Sequence, residues 1–557
     1  MKRLNLLALF VAVCAIASAQ SRASHEQYVS MGSTKAWYAA YNSWQPGTAL
    51  YAGTDAAENE QFFISRVKPR NRFVFTQTQV NEDLDTERKM LWWCPLGEGD
   101  NGNWNGLPSY WFGGEVYSMW SYMDTWGNWT APMIQAPAAY LDACHKNGVR
   151  SGVVAAVPFG ASPSSSDGGH GSNITALCNG GYEKLLKYLR YYGVDGIGFN
   201  SEFSWSGLNA NSFRALMGDC YANGEAYGVP FNNAWYSFTG NGGNIGDYSL
   251  LNASCVDWFH YNGKKVSDVY FLNYNWGASN LATSQATAEG KGRSGYDVYA
   301  GMDYQGRSQA DWISLKNYKI SFGLWGAHNM NMFYEGRGEL GATAKQMQKT
   351  YQLICENSVT GSSYNPVNAP QITNMLRHST SATAFHGFSS FITARSTMMA
   401  QYGDGTLADD PFVTNFNLGN GMFFKEEGET TFDKEWYNLG VQDYMPTWRW
   451  WWTSNFMGKN ASDASTDMVA EFTWDDAWFG GSSLQISGAT TKSYLQLFKT
   501  KYTVKTNDVI TIRYKVLSGT GKISLTLSTE DDAKTEKNAV IIASAKADEF
   551  TWVNKEI

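Results

Sequence analysis

The sequence predicts a (β/α)8 barrel followed by a β-rich extension and a C-terminal β-sandwich. Short apolar runs alternate with segments of helical character from about Lys89 onward, and eight such runs can be counted. After about residue 358 this alternation stops, and Gly- and Thr-rich stretches without a helical period take its place. Eight strands that alternate with helices are typical of a parallel barrel, in which the strand ends and the following loops build the site.

The eight apolar runs are the predicted barrel strands. They cover 89–94, 117–123, 151–159, 194–200, 230–236, 269–274, 296–302 and 320–326. Helices are predicted over 136–148, 182–193, 212–224 and 343–357, and the first two end at the helix-stopping residues Gly148 and Gly193. The stretch PSSSDGGHGSN at 163–173 is predicted to form a flexible loop after the third strand.

The chain of 557 residues is too long for one ordinary domain. A short basic start, an apolar run over 4–16 and a small-x-small pattern at 17–19 predict a secretory signal cut near Ala19. The mature protein is therefore expected to be exported, to the periplasm, the cell surface or the medium. The predicted regions are the signal peptide 1–19, a lead-in 20–88 that packs on the barrel, the barrel 89–358, the extension 359–455 and the sandwich module 456–557, which we expect to be truncated.

Composition narrows the classes of partner. The formal charge of −8 disfavours nucleic acid and anionic membranes, and no segment beyond the signal approaches the length of about 18 apolar residues that a membrane span needs. Only 17% of residues are charged, whereas Trp, Tyr and Phe number 23, 32 and 29. Flat aromatic rings pack against the apolar faces of sugars, and a large aromatic core is the alternative that must account for most of them.

Other chemistries lack the residues that they need. The six cysteines that remain after the signal are scattered without a CxxC motif, so isolated thiols are expected, with one or two disulfides as the alternative. The seven His residues show no metal-ligand spacing, so no metal and no cofactor are expected. GRGELG at 336–341 matches a dinucleotide fingerprint in its glycines, but the segment up to Glu356 leaves no room for a returning strand. No GxSxG motif is present.

One pair of polar residues follows the fourth predicted strand. In VDGIGFNSEFSW, Asn200 and Glu202 are two positions apart, so on an extended strand end they project side by side from the same face. A carboxyl group there has to be hydrogen-bonded, paired or catalytic. The same spacing recurs at Asn223/Glu225 and Asn554/Glu556, where no apolar strand precedes it, and the structural alternative is a capped turn with a solvated Glu.

The chain from about Ser43 to Gly421 resembles glycoside hydrolase family 85, the endo-β-N-acetylglucosaminidases. The matching pieces, in the order of the family, are SWQPG (43–47), WSYMDTW (120–126), ACHKNGV (143–149), GVDGIGFNSE (193–202), AWYS (234–237), YFLNYNW (270–276), YDVYAGMD (296–303) and PFVTNFNLGNG (411–421). The resemblance implies a barrel followed by β-sandwich modules, and cleavage between the two core GlcNAc residues of N-glycans.

The resemblance also implies roles for individual residues. Substrate-assisted glycosidases use the 2-acetamido oxygen of the substrate as nucleophile. Asn200 matches the residue that orients this group, and an oxazolinium intermediate is implied. Glu202 matches the acid that protonates the leaving oxygen and then activates water, a task that needs a raised pKa. Tyr236 matches a Tyr whose hydroxyl contacts the acetamido group or Glu202.

The predicted substrate-binding residues carry less weight, because core packing is the alternative for each aromatic among them. They are Trp120, Tyr122, Trp235, Asn273, Tyr274, Trp276, Asp303 and Trp325. The chain departs from the resembled family at Ser237, where an acidic residue is usual, at 94–100, where a His-Asp stretch is usual, and at Tyr304, often a Trp. These departures bear on which glycan is preferred.

The sequence therefore predicts an exported, monomeric endo-β-N-acetylglucosaminidase whose partners are the N-glycans of glycoproteins. A hexosaminide hydrolase directed at chitin or cell-wall polymers is the enzyme alternative. A barrel that binds glycans without cutting them is the other alternative, and the presence of both Asn200 and Glu202 argues against it.

Overall fold

Eight parallel strands close into a barrel in the computed structural model of the protein, which confirms the predicted fold class. The strands are β1 (Met90–Trp93), β2 (Thr125–Asn128), β3 (Arg150–Ala156), β4 (Gly196–Phe199), β5 (Asn232–Tyr236), β6 (Val269–Phe271), β7 (Val298–Asp303) and β8 (Ser321–Trp325). Each strand pairs with the next in the chain, and β8 pairs with β1. The structure describes residues 37–50, 60–75, 82–94, 116–128, 134–156, 170–246, 248–303, 312–326, 385–447, 451–456, 467–529 and 553–556, with shorter pieces at 343–356, 371–372 and 532–543.

The α-helices pack around these strands or precede them. They are α1 (Trp37–Ser43), α2 (Ala138–Lys146), α3 (His170–Tyr192), α4 (Ala210–Asn223), α5 (Ala278–Gly290) and α6 (Trp312–Leu315). Short 3-10 helices cover Glu60–Phe63, Trp120–Tyr122, Glu225–Tyr227, Val256–Trp258, Gly295–Asp297, Phe388–Ser390 and Leu439–Val441. The predicted stop after α2 is confirmed, since Gly148 adopts the left-handed backbone (φ +64°) that favours glycine.

Two local predictions are wrong. The second strand is not 117–123 but β2, which starts at Thr125, and the segment before it contains the 3-10 helix Trp120–Tyr122. The apolar run marks burial outside the barrel, because the Trp120 ring packs 5.4 Å from that of Trp126 and its Nε1 donates to Gln442 Oε1 at 2.7 Å. The predicted loop over 163–173 also gives way to α3 from His170 onward. Residues 163–169 lie outside the described part of the chain.

The regions after the barrel are built of short antiparallel pairs, in agreement with the predicted β-rich character. The strands are Gln371–Ile372, Phe385–His386, Ser396–Tyr402, Asn420–Gly421, Phe424–Glu426, Glu429–Phe432, Trp436–Tyr437, Trp451–Thr453, Met468–Thr473, Ser483–Gly488, Tyr494–Gln496, Thr511–Tyr514, Lys522–Leu527, Lys537–Ala543 and Val553–Glu556. Arg70–Phe73 of the lead-in pairs with Ser396–Tyr402, so these two segments share one sheet. A small hairpin, His260–Tyr261 with Lys264–Lys265, precedes β6. The domain boundaries stay predictions.

Two apolar layers surround the strands. The inner layer, which fills the barrel, contains Leu91, Trp93, Ala234, Tyr236, Val269, Phe271, Tyr274, Tyr299 and Trp325. The outer layer lies between strands and helices and is larger, with Trp92, Trp126, Trp235 and Phe322 facing it from the same strands. Side chains therefore alternate between the layers along each strand, as the pleat requires.

Candidate active site

Asn200 and Glu202 lie at the carboxyl end of β4, where the spacing predicts them to be neighbours. A Cβ at Gly198 would face Trp93 and Ala234, so that position looks into the barrel. Asn200 is two residues further along and continues the inward alternation. Its side chain is buried, and its Nδ2 donates a hydrogen bond to Glu202 Oε2 at 3.0 Å. The amide and the carboxyl group thus form one contiguous polar unit at the mouth of the barrel.

Tyr236 ends the neighbouring strand at the same height. Phe199 of β4 is in register with Trp235 of β5, so the next residue of each strand, Asn200 and Tyr236, are level. Adjacent strands lie about 4.8 Å apart, which makes the two residues lateral neighbours. Tyr236 is buried and belongs to the inner layer.

An aromatic wall extends from Tyr236 to the end of β6. The Tyr236 ring lies 5.9 Å from Phe238, 5.8 Å from Phe271 and 6.0 Å from Tyr274. Such pairs contribute about 0.5–1.5 kcal/mol each beyond their buried area. The wall is therefore a firm surface beside the polar pair, and it contains Phe238, which the sequence analysis did not select.

Ser237 and Asn273 hold this wall together from behind. The buried Ser237 hydroxyl donates to the Tyr248 carbonyl and accepts a hydrogen bond from the Asn273 backbone nitrogen at 3.0 Å. The Asn273 Oδ1 in turn accepts from the Tyr274 backbone nitrogen at 2.5 Å. A small hydroxyl at position 237 thus ties the end of β5 to the end of β6, where the resembled family usually has an acidic side chain.

Asp303 and Trp325 form the opposite side of the mouth. They are register partners at the ends of β7 and β8, and both are buried. The Trp325 ring meets Trp93 edge to face at 6.3 Å, so the end of β8 is packed against the end of β1. Of the predicted site residues, the structure brings Asn200, Glu202, Tyr236, Asn273, Tyr274, Asp303 and Trp325 to this one end of the barrel.

Two aromatic rings close the barrel beneath the site. Glycines leave room for them, because a Cβ at Gly127 would lie 2.7 Å from Trp93 Cδ1 and one at Gly323 would lie 2.3 Å from Phe271 Cε2. Trp93 and Phe271 pack edge to face at 5.6 Å. Neither ring is among the site residues predicted from the sequence. Strands that carry no polar residue do not reveal which side chains face inward, but the glycines of the facing strands mark where a large ring must fit.

Four predicted substrate-binding residues do not reach the site, which corrects those predictions. Trp235 points into the outer layer and stacks on Trp258 at 4.3 Å, and Trp120 and Tyr122 are buried ahead of β2, at the opposite end of that strand. Trp276 is only 2% exposed, and its Nε1 donates to the Gly301 carbonyl at 2.8 Å. All four are core residues, because their rings are enclosed by protein and anchored by neighbours.

Some predictions fall on residues outside the described part of the chain. They include the signal peptide, the stretch 95–100, Tyr304, the GRGELG motif and most of the helix predicted at 343–357. Six of the seven cysteines lie in the described part of the chain, and no disulfide joins any two of them. Among the described residues there is no group of three or more His, Cys, Asp or Glu side chains that could hold a metal ion. No helix within the described ranges has the length and apolar character needed to cross a membrane.

Comparison with known proteins agrees with the barrel fold. The sequence model of glycosyl hydrolase family 85 matches residues 112–424, and no curated protein sequence matches the chain. The crystal structure of the Endo-D glycoside hydrolase domain from Streptococcus pneumoniae R6 superposes with a TM-score of 0.71 at 21% identity, over 93% of this chain and 76% of that one.

Two family 18 chitinases are more distant structural matches. The catalytic domain from the fern Peteris ryukyuensis has a TM-score of 0.28 at 12% identity, over 47% of this chain and 99% of that one. The chitinase from Crocus vernus has a TM-score of 0.27 at 13% identity, over 46% and 99%. Superpositions this weak carry no structural weight. The family match spans more than half of the chain, including β2–β8 and the Asn200–Glu202 pair, and the protein belongs to glycosyl hydrolase family 85, the endo-β-N-acetylglucosaminidases.

Proposed function

We propose that the protein hydrolyses the GlcNAc-β-1,4-GlcNAc core of N-glycans on glycoproteins by a substrate-assisted, retaining mechanism. The observation that carries this proposal is the hydrogen bond from Asn200 Nδ2 to Glu202 Oε2 at the carboxyl end of β4. Retaining glycosidases with two protein carboxylates use one of them as the nucleophile. An amide cannot take that part, so the pair calls for a nucleophile that the substrate supplies.

Asn200 has the chemistry to orient the substrate's 2-acetamido group. An amide side chain offers N–H donors and a carbonyl acceptor, which complement the C=O and N–H of an acetamido group. As the acetamido oxygen attacks the anomeric carbon, its amide nitrogen becomes more positive and its N–H a stronger donor. An Asn carbonyl held in place by the protein would stabilise that charge, and the result is an oxazolinium intermediate.

Glu202 is the acid and base of the proposal. It protonates the glycosidic oxygen as the bond to the second GlcNAc breaks, and it then takes a proton from the water that opens the oxazolinium ring. Each step inverts the configuration at the anomeric carbon, so the two steps together retain it. Tyr236 is level with Asn200, and in this proposal its hydroxyl contacts the acetamido group or Glu202.

Mass spectrometry of a treated glycoprotein tests the proposal. We expect a single GlcNAc to remain on the glycosylated Asn and the rest of the glycan to be released with one GlcNAc at its reducing end. Cleavage of chitin oligomers or cell-wall polymers without cleavage of N-glycans would favour the hexosaminide alternative. Binding of glycans with no cleavage of either would show a non-catalytic barrel. We further propose that the protein acts as an exported monomer.

A further inference from the structure

We infer that Ser201 and Thr239 are positioning residues that hold Asn200 and Glu202 in their reactive arrangement; this inference rests on the function proposed above. Ser201 lies between the two site residues in the chain, and both hydroxyl-bearing side chains are fully buried. Ser201 Oγ lies 2.7 Å from Thr239 Oγ1, and Thr239 Oγ1 also lies 2.7 Å from the Ser201 carbonyl oxygen. A third group, Trp205 Nε1, lies 2.8 Å from Ser201 Oγ.

The protons of this cluster can be assigned completely. An indole N–H only donates, so Ser201 Oγ accepts from Trp205. A carbonyl only accepts, so the single proton of the Thr239 hydroxyl goes to the Ser201 carbonyl. The Ser201 hydroxyl must then donate to Thr239 Oγ1. Each of the three hydrogens has one acceptor, and the cluster has a single consistent arrangement.

The cluster joins two loops of the site face. Thr239 lies just beyond β5, in a turn closed by the bridge between Thr239 and Ile245. The loop after β4 contacts the same turn again, since the Trp205 backbone nitrogen donates to the Gly243 carbonyl at 2.9 Å. The Trp205 ring packs against Phe203 at 5.7 Å and Trp258 at 4.7 Å, so the indole donor is itself immobilised.

Packing alone does not require these hydroxyls. Ala at 201 and Val at 239 would fill similar volumes, and a buried hydroxyl stabilises a fold only while it is hydrogen-bonded. The hydroxyls instead fix an orientation. The Thr239 hydroxyl holds the carbonyl of Ser201 and thereby the plane of the peptide group that connects Ser201 to Glu202. Asn200 precedes the same residue. Rotation at Ser201 would therefore move the amide and the carboxyl group relative to each other.

The test replaces Thr239 by Val, which keeps the shape and removes the hydroxyl. Misplacement of reacting groups by about 1 Å can cost about 100-fold in rate, so we expect kcat on an N-glycan to fall about 10- to 100-fold. KM should change much less, because no residue of the aromatic wall is replaced. Thr239→Ser restores the hydroxyl and should recover most of kcat. Ser204→Ala, an exposed Ser in the same loop, is the matched control and should leave kcat unchanged.

A second variant guards against a folding defect. Ser201→Ala should lower kcat in the same range, and the double variant should lose no more than the worse single variant, because both act through one cluster. A folded Thr239→Val protein with the kcat of the wild type, or a Ser variant as impaired as the Val variant, would overturn the inference. A wild-type protein that releases no N-glycan would remove the proposed function, and this inference with it.

Discussion

The two ends of the barrel give their acidic side chains different partners. At the amino end an Asp directly precedes four strands, and each of these carboxylates is paired with a basic side chain. The pairs are Asp124 with Arg395, Asp195 with His145, Asp268 with Arg150, and Asp297 with Arg293. At the carboxyl end Glu202 instead accepts a hydrogen bond from the neutral amide of Asn200.

This difference suits the amino-end pairs to stabilising the fold and the carboxyl-end pair to catalysis. A carboxylate beside a cation is held in its charged form, which suits a permanent structural contact but not a proton donor. A neighbouring neutral amide does not hold a carboxyl group in its charged form in this way, so the group remains able to take up and release a proton. Barrels of this type place their chemistry at the carboxyl end and their structural polar contacts at the amino end. Four variants test whether this division holds.

The largest effect is expected from Glu202→Gln. The variant keeps the shape of the side chain but has no proton to give, so hydrolysis of natural glycans should slow by about 10²–10⁴-fold, the usual contribution of a general acid. The free energy of unfolding should change little, because the Asn200 amide can still donate to the remaining carbonyl oxygen. Glu225→Gln is a matched control, since Asn223 and Glu225 repeat the spacing at the exposed end of α4. Near-normal hydrolysis by Glu202→Gln would mean that another residue is the acid.

Asn200→Ala should separate formation of the intermediate from its breakdown. Removing an aligned polar group from a developing charge typically costs about 10²–10³-fold in rate, so cleavage of intact glycans should fall by that order. A preformed sugar oxazoline no longer needs the attack step, and Glu202 should still assist its hydrolysis. Turnover of both substrates by the same variant is the measurement, with Asn223→Ala as the control. Loss of both activities in a folded protein would extend the role of Asn200 beyond forming the intermediate, and survival of both would reduce it to a turn residue.

Substitutions at the amino end of the barrel should change the free energy of unfolding and not the rate of hydrolysis. Arg150 Nη1 lies 2.9 Å from Asp268 Oδ2, and the Tyr221 hydroxyl donates to the other carboxylate oxygen at 2.6 Å. Burial raises the pKa of Asp268, but the charges of Arg150 and Lys265 and the hydrogen bonds from Tyr221 and Arg150 together outweigh it and lower the pKa overall. Asp268→Asn leaves the Arg150 charge poorly compensated and should lower the free energy of unfolding by about 3 kcal/mol. Unfolding in urea measures this change.

The exposed pair Lys264–Asp219, at 2.6 Å, is the control for that experiment. Asp219→Asn should cost less than about 1 kcal/mol, because solvent screens the pair. The rate per folded molecule should be unchanged in both variants. A loss of kcat in folded Asp268→Asn protein would show that the two ends are coupled and would break the proposed division.

The amino-end Asp residues also explain what the sequence could and could not reveal. Asp124 directly precedes β2, just as Asp195 precedes β4. An Asp in this position therefore indicates a strand start, and it places the start of the second strand at Thr125. The apolar run at 117–123 is predicted to be the second strand instead, because residues buried outside a barrel and residues buried in a strand produce the same apolar pattern. The Asn200–Glu202 pair was predictable because polar residues at a strand end fix the inward phase.

The aromatic residues were harder to assign for the same reason. Trp235 and Tyr236 are adjacent in an apolar strand, and only the closed barrel decides that Tyr236 faces inward and Trp235 outward. Strands buried on both faces carry no alternation from which that phase could be read. The residue that precedes a strand therefore predicts where the strand starts better than the strand's own apolar pattern does. The polar residues that follow a strand likewise indicate function better than the residues within it.

The smallest effect is expected from His145, and it should depend on pH. His145 Nε2 lies 3.2 Å from Asp195 Oδ2, and Nδ1 lies 2.9 Å from the Val67 carbonyl, so the charged ring can donate at both nitrogens. Burial lowers the pKa of His145, but the Asp195 carboxylate and these hydrogen bonds outweigh it and raise the pKa overall. A raised pKa in the folded state means that the charged ring stabilises the fold below its unfolded pKa of about 6.5. That contribution is lost as the pH rises through the folded pKa.

His145→Gln should therefore cost most at acid pH. Hydrogen bonds to charged groups contribute about 1.5–3 kcal/mol, so the variant should be less stable than the wild type by about that amount near pH 5, and the gap should narrow above neutrality. His260 offers the opposite sign, because partial burial and nearby Arg293 lower its pKa, so His260→Gln should relieve a cost at acid pH instead. Urea unfolding of the three proteins across pH 5–9 measures both trends. A gap that widens with rising pH for His145→Gln would show that the ring is neutral in the fold, and the amino end would then contain a carboxylate without its cation.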